Sequence, residues 1–256
     1  LRLTLDPGEP RVLSTVAHYP YSSCCDKLRR LAHAHLEAAL VEIGESVQGR
    51  PILALEVGNE AGKRAVFTGT LQPGEPSAWA VLAMAEAALA GESWCLKEYR
   101  LCFVPQTNPD GIVLGLCNVN ALHELAAFGF GEGSAAEEAP REVRVLWEYL
   151  ASRPPVVYVD FHFLRLPNHP MPKAYFLSPD IYESQERARA AIELNERLIE
   201  VSGGAPSLIV EFDDELWQGL ATYQAAATLD AVSFLYQYTG PRTSYQGAET
   251  RGPQVM

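Results

Sequence analysis

A mixed, largely parallel twisted α/β sheet with helices on both faces is the fold class this sequence predicts, and three observations predict it. Segments with strand character alternate with segments of helical period from end to end, the signature of consecutive βα units. The chain has 256 residues and is 48% hydrophobic, enough to bury a large core. No internal repeat or linker-like stretch divides it, so residues 1–256 are expected to form a single domain.

The elements follow in order. Leu28, Leu31, His35, Leu36, Ala39 and Leu40 recur at helical spacing and predict an opening helix over Cys25–Val41, ended by the polar stretch Glu42–Gly49. Pro51–Val57 and Ala65–Gly69 read as strands, and the intervening Gly58–Gly62 gives a hairpin signal that makes them neighbours. Pro76 suits the first turn of a helix running to Ala90. Tyr99–Pro105 reads as a buried strand, stopped by the dense turn signal Asn108-Pro109-Asp110-Gly111. Ser134 and Glu137 have capping-box spacing ahead of a helix to Ser152, closed by Pro154-Pro155. Further strands are predicted over Val156–Phe161, Ala174–Leu177, Leu208–Phe212 and Val232–Tyr238, and helices over Glu183–Val201 and Trp217–Leu229. The tail after Thr239 has little pattern. In such a sheet, ligands bind outside the carboxyl ends of the parallel strands.

Composition excludes several classes of partner. The formal net charge is −12 with no basic cluster, which opposes phosphate backbones, so neither nucleic acid nor anionic membrane is an expected partner. No apolar run reaches membrane-spanning length. The cysteines at 24, 25, 95, 102 and 117 form no CxxC pair and are odd in number, which suits a reducing, cytoplasmic compartment rather than a disulfide framework.

Four segments carry chemistry, in order: Glu42-Ile43-Gly44-Glu45-Ser46-Val47-Gln48-Gly49-Arg50-Pro51-Ile52, Gln72-Pro73-Gly74-Glu75-Pro76, Asn108-Pro109-Asp110-Gly111, and Val159-Asp160-Phe161-His162. Each resembles a motif of the zinc carboxypeptidases of the carboxypeptidase A and B type: the opening strand pair, the metal loop, a conserved-type NPDG turn and a strand ending in a metal histidine. Ser134–Leu150 and Ala231–Tyr238 resemble that family's SEpEt helix and last core strand. The set spans about residues 40 to 240. The resemblance implies a zinc-carboxypeptidase-like fold and metal-assisted hydrolysis at a peptide's C-terminus. In that chemistry zinc is held by His, Glu and His, a glutamate is general base, and arginine receives the terminal carboxylate.

Carried over residue by residue, the resemblance places Glu75 and His162 as metal ligands and Gln72 at the first histidine's position. An amide oxygen is a poorer zinc donor than imidazole, so zinc is expected to be weak or absent. Gln237 stands at the position of the general base, and glutamine takes no proton from water. The carboxylate-binding positions fall on Asn118 and Asn120 and on Ala126-Ala127, with Arg165 as a candidate displaced clamp. The expected function is therefore a carboxypeptidase-like protein with a degenerate site, inactive or weak, whose cleft binds a peptide or a small, amine-bearing ligand. The alternative is an active metallocarboxypeptidase or amidase with a rearranged site, recruiting His169 or Gln72 to the metal and Glu249 or Glu211 as base.

Blander readings accompany these. Glu75 also suits a first-turn carboxylate favoured by the helix dipole. His162 also suits a buried histidine bonded to Asp160. His33 and His35 diverge on a helix and are structural. Gly129–Gly133 lacks a P-loop lysine and is a loop. Cys117 near the expected pocket has no partner histidine to make it a nucleophile.

Overall fold

The computed structural model describes residues 17–91, 95–131, 137–163, 173–201, 207–210 and 215–238. Helix α1 (Tyr21–Ala34) leads into strands β1 (Ala38–Glu45), β2 (Pro51–Gly58) and β3 (Lys63–Gly69), then α2 (Ala78–Ala90), the short α3 (Cys95–Glu98), β4 (Tyr99–Val104) and α4 (Pro109–Leu114). After them come a 3-10 turn at Ala126–Phe128, α5 (Arg141–Ser152), β5 (Val157–Phe163), β6 (Lys173–Leu177) and α6 (Gln185–Val201). β7 (Ser207–Val210), α7 (Glu215–Gln218), α8 (Ala221–Leu229) and β8 (Val232–Tyr238) complete the described chain.

The eight strands form one sheet in the order β1-β2-β4-β3-β5-β8-β6-β7. Its centre, β4-β3-β5-β8, is parallel throughout, and β1, β2 and β6 join antiparallel to their inner neighbours. Alternation along each strand divides the side chains between two faces. Leu53, Leu55, Phe103, Val159, Phe161, Phe176 and Phe234 meet α1 and α2 on one face, through Leu28, Val81, Leu82 and Ala85. Val66, Cys102 and Tyr158 meet Val143, Leu146 and Leu150 of α5 and Ala221 and Ala225 of α8 on the other. The sheet is thus mixed, and helices cover both faces, as the element pattern predicts.

Four local expectations are corrected. The opening helix ends at Ala34, and Ala38–Glu45 is a strand paired with β2 from Ala38↔Val57 to Glu45↔Pro51. Leu36, Ala39 and Leu40 fit a helical stripe, but their segment is recruited by the sheet edge. The hairpin lies between β1 and β2, turning at Ser46–Gly49 with Gly49 at φ +72°. β2 and β3 are not neighbours, because β4 lies between them. The α5 helix starts at Arg141 after Pro140 rather than from a Ser134 cap, and Ser134 lies outside the described residues. Finally, the helix expected over Trp217–Leu229 breaks at Gly219-Leu220, with Leu220 extended at φ −76°, ψ 146°. There Gly219 approaches the Phe128 carbonyl so closely that a Cβ on it would lie 2.3 Å from that oxygen.

Two of the sequence motifs are physically one unit. Asp110, in the first turn of α4, accepts from Ser46 Oγ (2.8 Å), the Gln48 backbone N–H (2.8 Å) and Arg50 Nη1 (2.6 Å). The carboxylate is fully buried, so the guanidinium and the two further donors offset its desolvation. Gly111, next in the turn, packs on Pro73, where a Cβ would lie 2.3 Å from Pro73 Cγ. The hairpin turn, the NPDG segment and the loop after β3 are therefore stacked on one another at the end of the sheet where the parallel strands terminate. Asp110→Ala removes a buried partner of an ion pair and is expected to lower unfolding stability by about 3 kcal/mol, at the lower end for such pairs because Arg50 stays partly hydrated. The urea midpoint of the variant checks this.

Candidate functional site

The loop after β3 brings Gln72 and Glu75 over the end of β5, where His162 emerges. Gln72 O accepts from the Glu75 N–H at 2.9 Å, closing a turn that points both side chains at the strand. Glu75 Oε2 accepts from the Phe163 backbone N–H at 2.7 Å and lies 3.1 Å from His162 Nδ1. Gln72 Oε1 is 2.9 Å from the same nitrogen. His162 Nε2 is 3.0 Å from Asp160 Oδ2. The three residues expected to form the metal site therefore do converge, around a single ring nitrogen of a buried histidine.

The cluster continues into the sheet. Tyr158, Asp160 and His162 occupy alternate positions of β5 and so share a face. Asp160 Oδ1 accepts from Thr68 Oγ1 at 2.8 Å. Having spent its one proton there, Thr68 accepts from Tyr158 OH, also at 2.8 Å. The result is a continuous chain, buried from Tyr158 through Thr68 and Asp160 to His162, that ends on the half-buried Glu75 and Gln72. Burial, and after it the Asp160 charge, pushes the Tyr158 phenol well above its ordinary range, so it stays a donor. Burial alone lowers the His162 pKa, but the Glu75 and Asp160 carboxylates outweigh that effect and raise it well above the ordinary histidine value. With both ring nitrogens facing acceptors, the imidazolium donates on both sides: Nε2–H to Asp160, and Nδ1–H shared between Gln72 and Glu75.

This donor set does not fit zinc. Glu75 and His162 supply two groups that zinc takes, but the third, Gln72, supplies a neutral amide oxygen. Among the described residues no group of three His, Cys, Asp or Glu side chains is arranged to hold a metal ion.

The other candidates fall around this core. Gln237 on β8 is the register partner of His162 and half-buried, so the general-base position lies beside the histidine on the same face. Asn118 is exposed, and its Oδ1 accepts from Cys117 Sγ at 3.5 Å. Asn120 is fully buried and committed within the protein. Its Oδ1 accepts from the Leu122 and Glu124 backbone N–H groups, and its Nδ2 donates to Glu124 and Glu142. Ala126 and Ala127 are buried in the apolar cluster with Phe130 and Leu146. Arg165 and His169 lie outside the described residues, as do Glu211 and Glu249. Cys117 Sγ rests against the metal-type loop, 2.6 Å from where a Cβ on Gly74 would lie.

Sequence reasoning missed one buried carboxylate. Glu142 is 0% exposed and accepts from the Val47 N–H (3.2 Å) and Asn120 Nδ2 (2.9 Å), tying α5 to the hairpin turn and to the loop after α4. Its signal was present: Glu142, Leu146 and Leu150 share one helical stripe, and an acid on a leucine stripe is a buried acid.

The open, mixed α/β sheet is similar to that of solved carboxypeptidases. Residues 24–119 match the family model of the zinc carboxypeptidases. Among solved structures, a metallo-carboxypeptidase from Burkholderia cenocepacia has a TM-score of 0.77 at 16% identity, covering 94% of this chain and 68% of that one. A Pseudomonas aeruginosa metallo-carboxypeptidase gives 0.75 at 19%, with 94% and 68% covered, and carboxypeptidase A from Helicoverpa armigera gives 0.68 at 17%, with 93% and 72% covered. Nothing among curated proteins matches. At these identities the structural likeness shows the fold, and the family match covers residues 24–119 of the 256.

The charge on His162 sets a pH dependence. Because its folded pKa is raised, its contribution to stability is fully present below the unfolded value of about 6.5 and is lost as pH rises through the folded value. Urea-denaturation stability is expected to decline with pH above about 6.5, and the decline to be much reduced in His162→Gln.

Proposed function

We propose that this chain is a carboxypeptidase-fold protein that does not hydrolyse peptides, and that its loop-end site binds a peptide or small ligand instead. The observation that carries this is the hydrogen-bond saturation of His162. The ring nitrogen that faces Glu75 is also bonded to Gln72 Oε1 at 2.9 Å, and the other is bonded to Asp160 at 3.0 Å. A neutral amide at position 72 completes a hydrogen-bond set that a histidine there would complete as a metal set.

The chemistry of position 237 supports the same reading. A general base contributes about 10²–10⁴ in rate, and the Gln237 amide, placed beside His162 by the β5–β8 register, has no basic lone pair to offer water. Ala126 and Ala127, packed in the core, offer no guanidinium to a terminal carboxylate. The described residues of the site hold a fixed imidazolium between two carboxylates, an arrangement suited to binding and orienting rather than to activating water.

Zinc titration of the purified protein, followed by elemental analysis, tests the reading. The unaltered chain is expected to bind zinc weakly. Gln72→His is expected to tighten it at least about tenfold, since disturbing even a ligand's hydrogen-bond partner changes metal affinity by about 10–100-fold. Hydrolysis of C-terminal residues is expected only when Gln72→His is combined with Gln237→Glu. Stoichiometric zinc in the unaltered chain, lost in His162→Ala and accompanied by peptide cleavage, would overturn the proposal.

A further inference from the structure

The loop that carries Gln72 and Glu75 leaves β3 through a conformation that its sequence does not favour. Thr70, directly after Gly69, has φ +63°. An L-residue meets a steric penalty there between its Cβ and the following carbonyl, and a β-branched residue is an outlier. The two other non-glycine residues with positive φ among the described ones are milder cases. His123 is exposed, and Asp230 is the C-cap of α8, where a short polar side chain is tolerated. Thr70 is 1% exposed and stands two residues before Gln72.

Neighbouring elements hold it there. The Thr70 N–H donates to Ser77 Oγ at 2.6 Å, and Thr70 Oγ1 donates to the Pro105 carbonyl at 2.9 Å. Ser77, which precedes α2, is fully buried. Gly69 lies so close to both partners that an added Cβ would be 3.2 Å from Ser77 Oγ and from the Pro105 oxygen. Thr107 donates twice to the Gly69 carbonyl, from its N–H at 3.2 Å and its Oγ1 at 2.9 Å. Leu71, next in the chain, is buried in the apolar cluster with Val66 and Phe130. The base of the loop is thus closed: residue 70 is fastened to residue 77, and the segment between them carries Gln72 and Glu75. Backbone strain persists only where the surroundings over-determine it, and it gathers at functional sites.

We infer that Thr70 is a positioning residue of the loop-end site: its left-handed turn, latched by Ser77 and Pro105, sets where Gln72 and Glu75 stand relative to His162. Relaxation of residue 70 to negative φ redirects the chain at the foot of the loop and carries both side chains off the His162 ring nitrogen. The hydroxyl is the part of the latch that the side chain supplies. A glycine adopts the same turn without strain but has nothing to offer the Pro105 carbonyl. The inference rests on the reading that Gln72, Glu75 and His162 form the working site, and it holds whether or not that site hydrolyses.

Amide hydrogen exchange tests this, because the Phe163 N–H donates to the Glu75 carboxylate at 2.7 Å and so reports where the loop stands. Thr70→Val keeps the branched side chain and loses the hydroxyl, and Ser77→Ala leaves the Thr70 N–H without its acceptor. Each is expected to speed exchange at Phe163 at least about tenfold relative to Val159, in the middle of the same strand. Thr70→Ser, which keeps the donor, is expected to hold that ratio within about threefold of the unaltered chain. A loss of global stability alone speeds both amides together. An unchanged ratio in either folded variant, or an effect of Thr70→Ser equal to that of Thr70→Val, would overturn the inference, and Ser77→Ala decides where Thr70→Val does not fold. Zinc titration of Gln72→His with and without Thr70→Val separates the two readings. No zinc gain in Gln72→His contradicts the proposed function, whereas a gain that Thr70→Val leaves undiminished contradicts the positioning role.

Discussion

A buried positive charge at His162, held between the carboxylates of Asp160 and Glu75, is the interaction on which the loop end of this protein depends. One carboxylate comes from the same strand and the other from the loop after β3, so the charge fastens that loop to the middle of the sheet. Glu75 also takes the Phe163 N–H, which fixes the exit of β5. Asp160 is in turn held by Thr68, and Thr68 by Tyr158, so the charge rests on a chain that crosses two central parallel strands. Removing a polar member of such a network leaves the others unpaired in a low-dielectric interior, which is why these networks form whole or not at all.

A second buried network supports the first from the side. Asp110 gathers Ser46, Gln48 and Arg50, and Glu142 gathers Val47 and Asn120. Both carboxylates therefore grip the β1–β2 turn, from α4 and from α5. Through Gly111 on Pro73, the α4 end bears directly on the Gln72–Glu75 loop. The β1–β2 turn, the loop after β3 and the start of α4 are thus irregular in backbone yet tied to one another by buried carboxylates and close packing.

Much of this was legible in the residues, and the failures share a cause. The alternating strands and helices and the β5 and β8 spans follow from local period and from turn residues at fixed offsets, while the grouping of Gln72, Glu75 and His162 was implied by the family resemblance. What was misread depends on distant partners. β4 inserting between β2 and β3 has no signature in the Gly58–Gly62 turn, and Ala38–Glu45 becomes a strand only because β2 offers it an edge. Gly219 breaks a helical pattern because Phe128, far away in sequence, needs its backbone close. The polar stripe Tyr158-Asp160-His162 was visible at period two, but its continuation to Thr68 requires the β3–β5 register. Asn120, placed by the family resemblance at a carboxylate-binding position, has its amide bonded to Glu124, Glu142 and two backbone N–H groups, partners that lie apart in the sequence.

The 2.9 Å contact between Gln72 Oε1 and His162 Nδ1 also bears on how freely this site can change over generations. Glutamine and histidine codons differ only in the third base, and glutamine and glutamate codons only in the first. The backbone that aims position 72 at His162 is already set by the Gln72–Glu75 turn and by Pro73 against Gly111. A change of donor type at position 72 is therefore one base away at a residue whose frame needs no rebuilding, so drift can exchange an amide oxygen for an imidazole there in either direction.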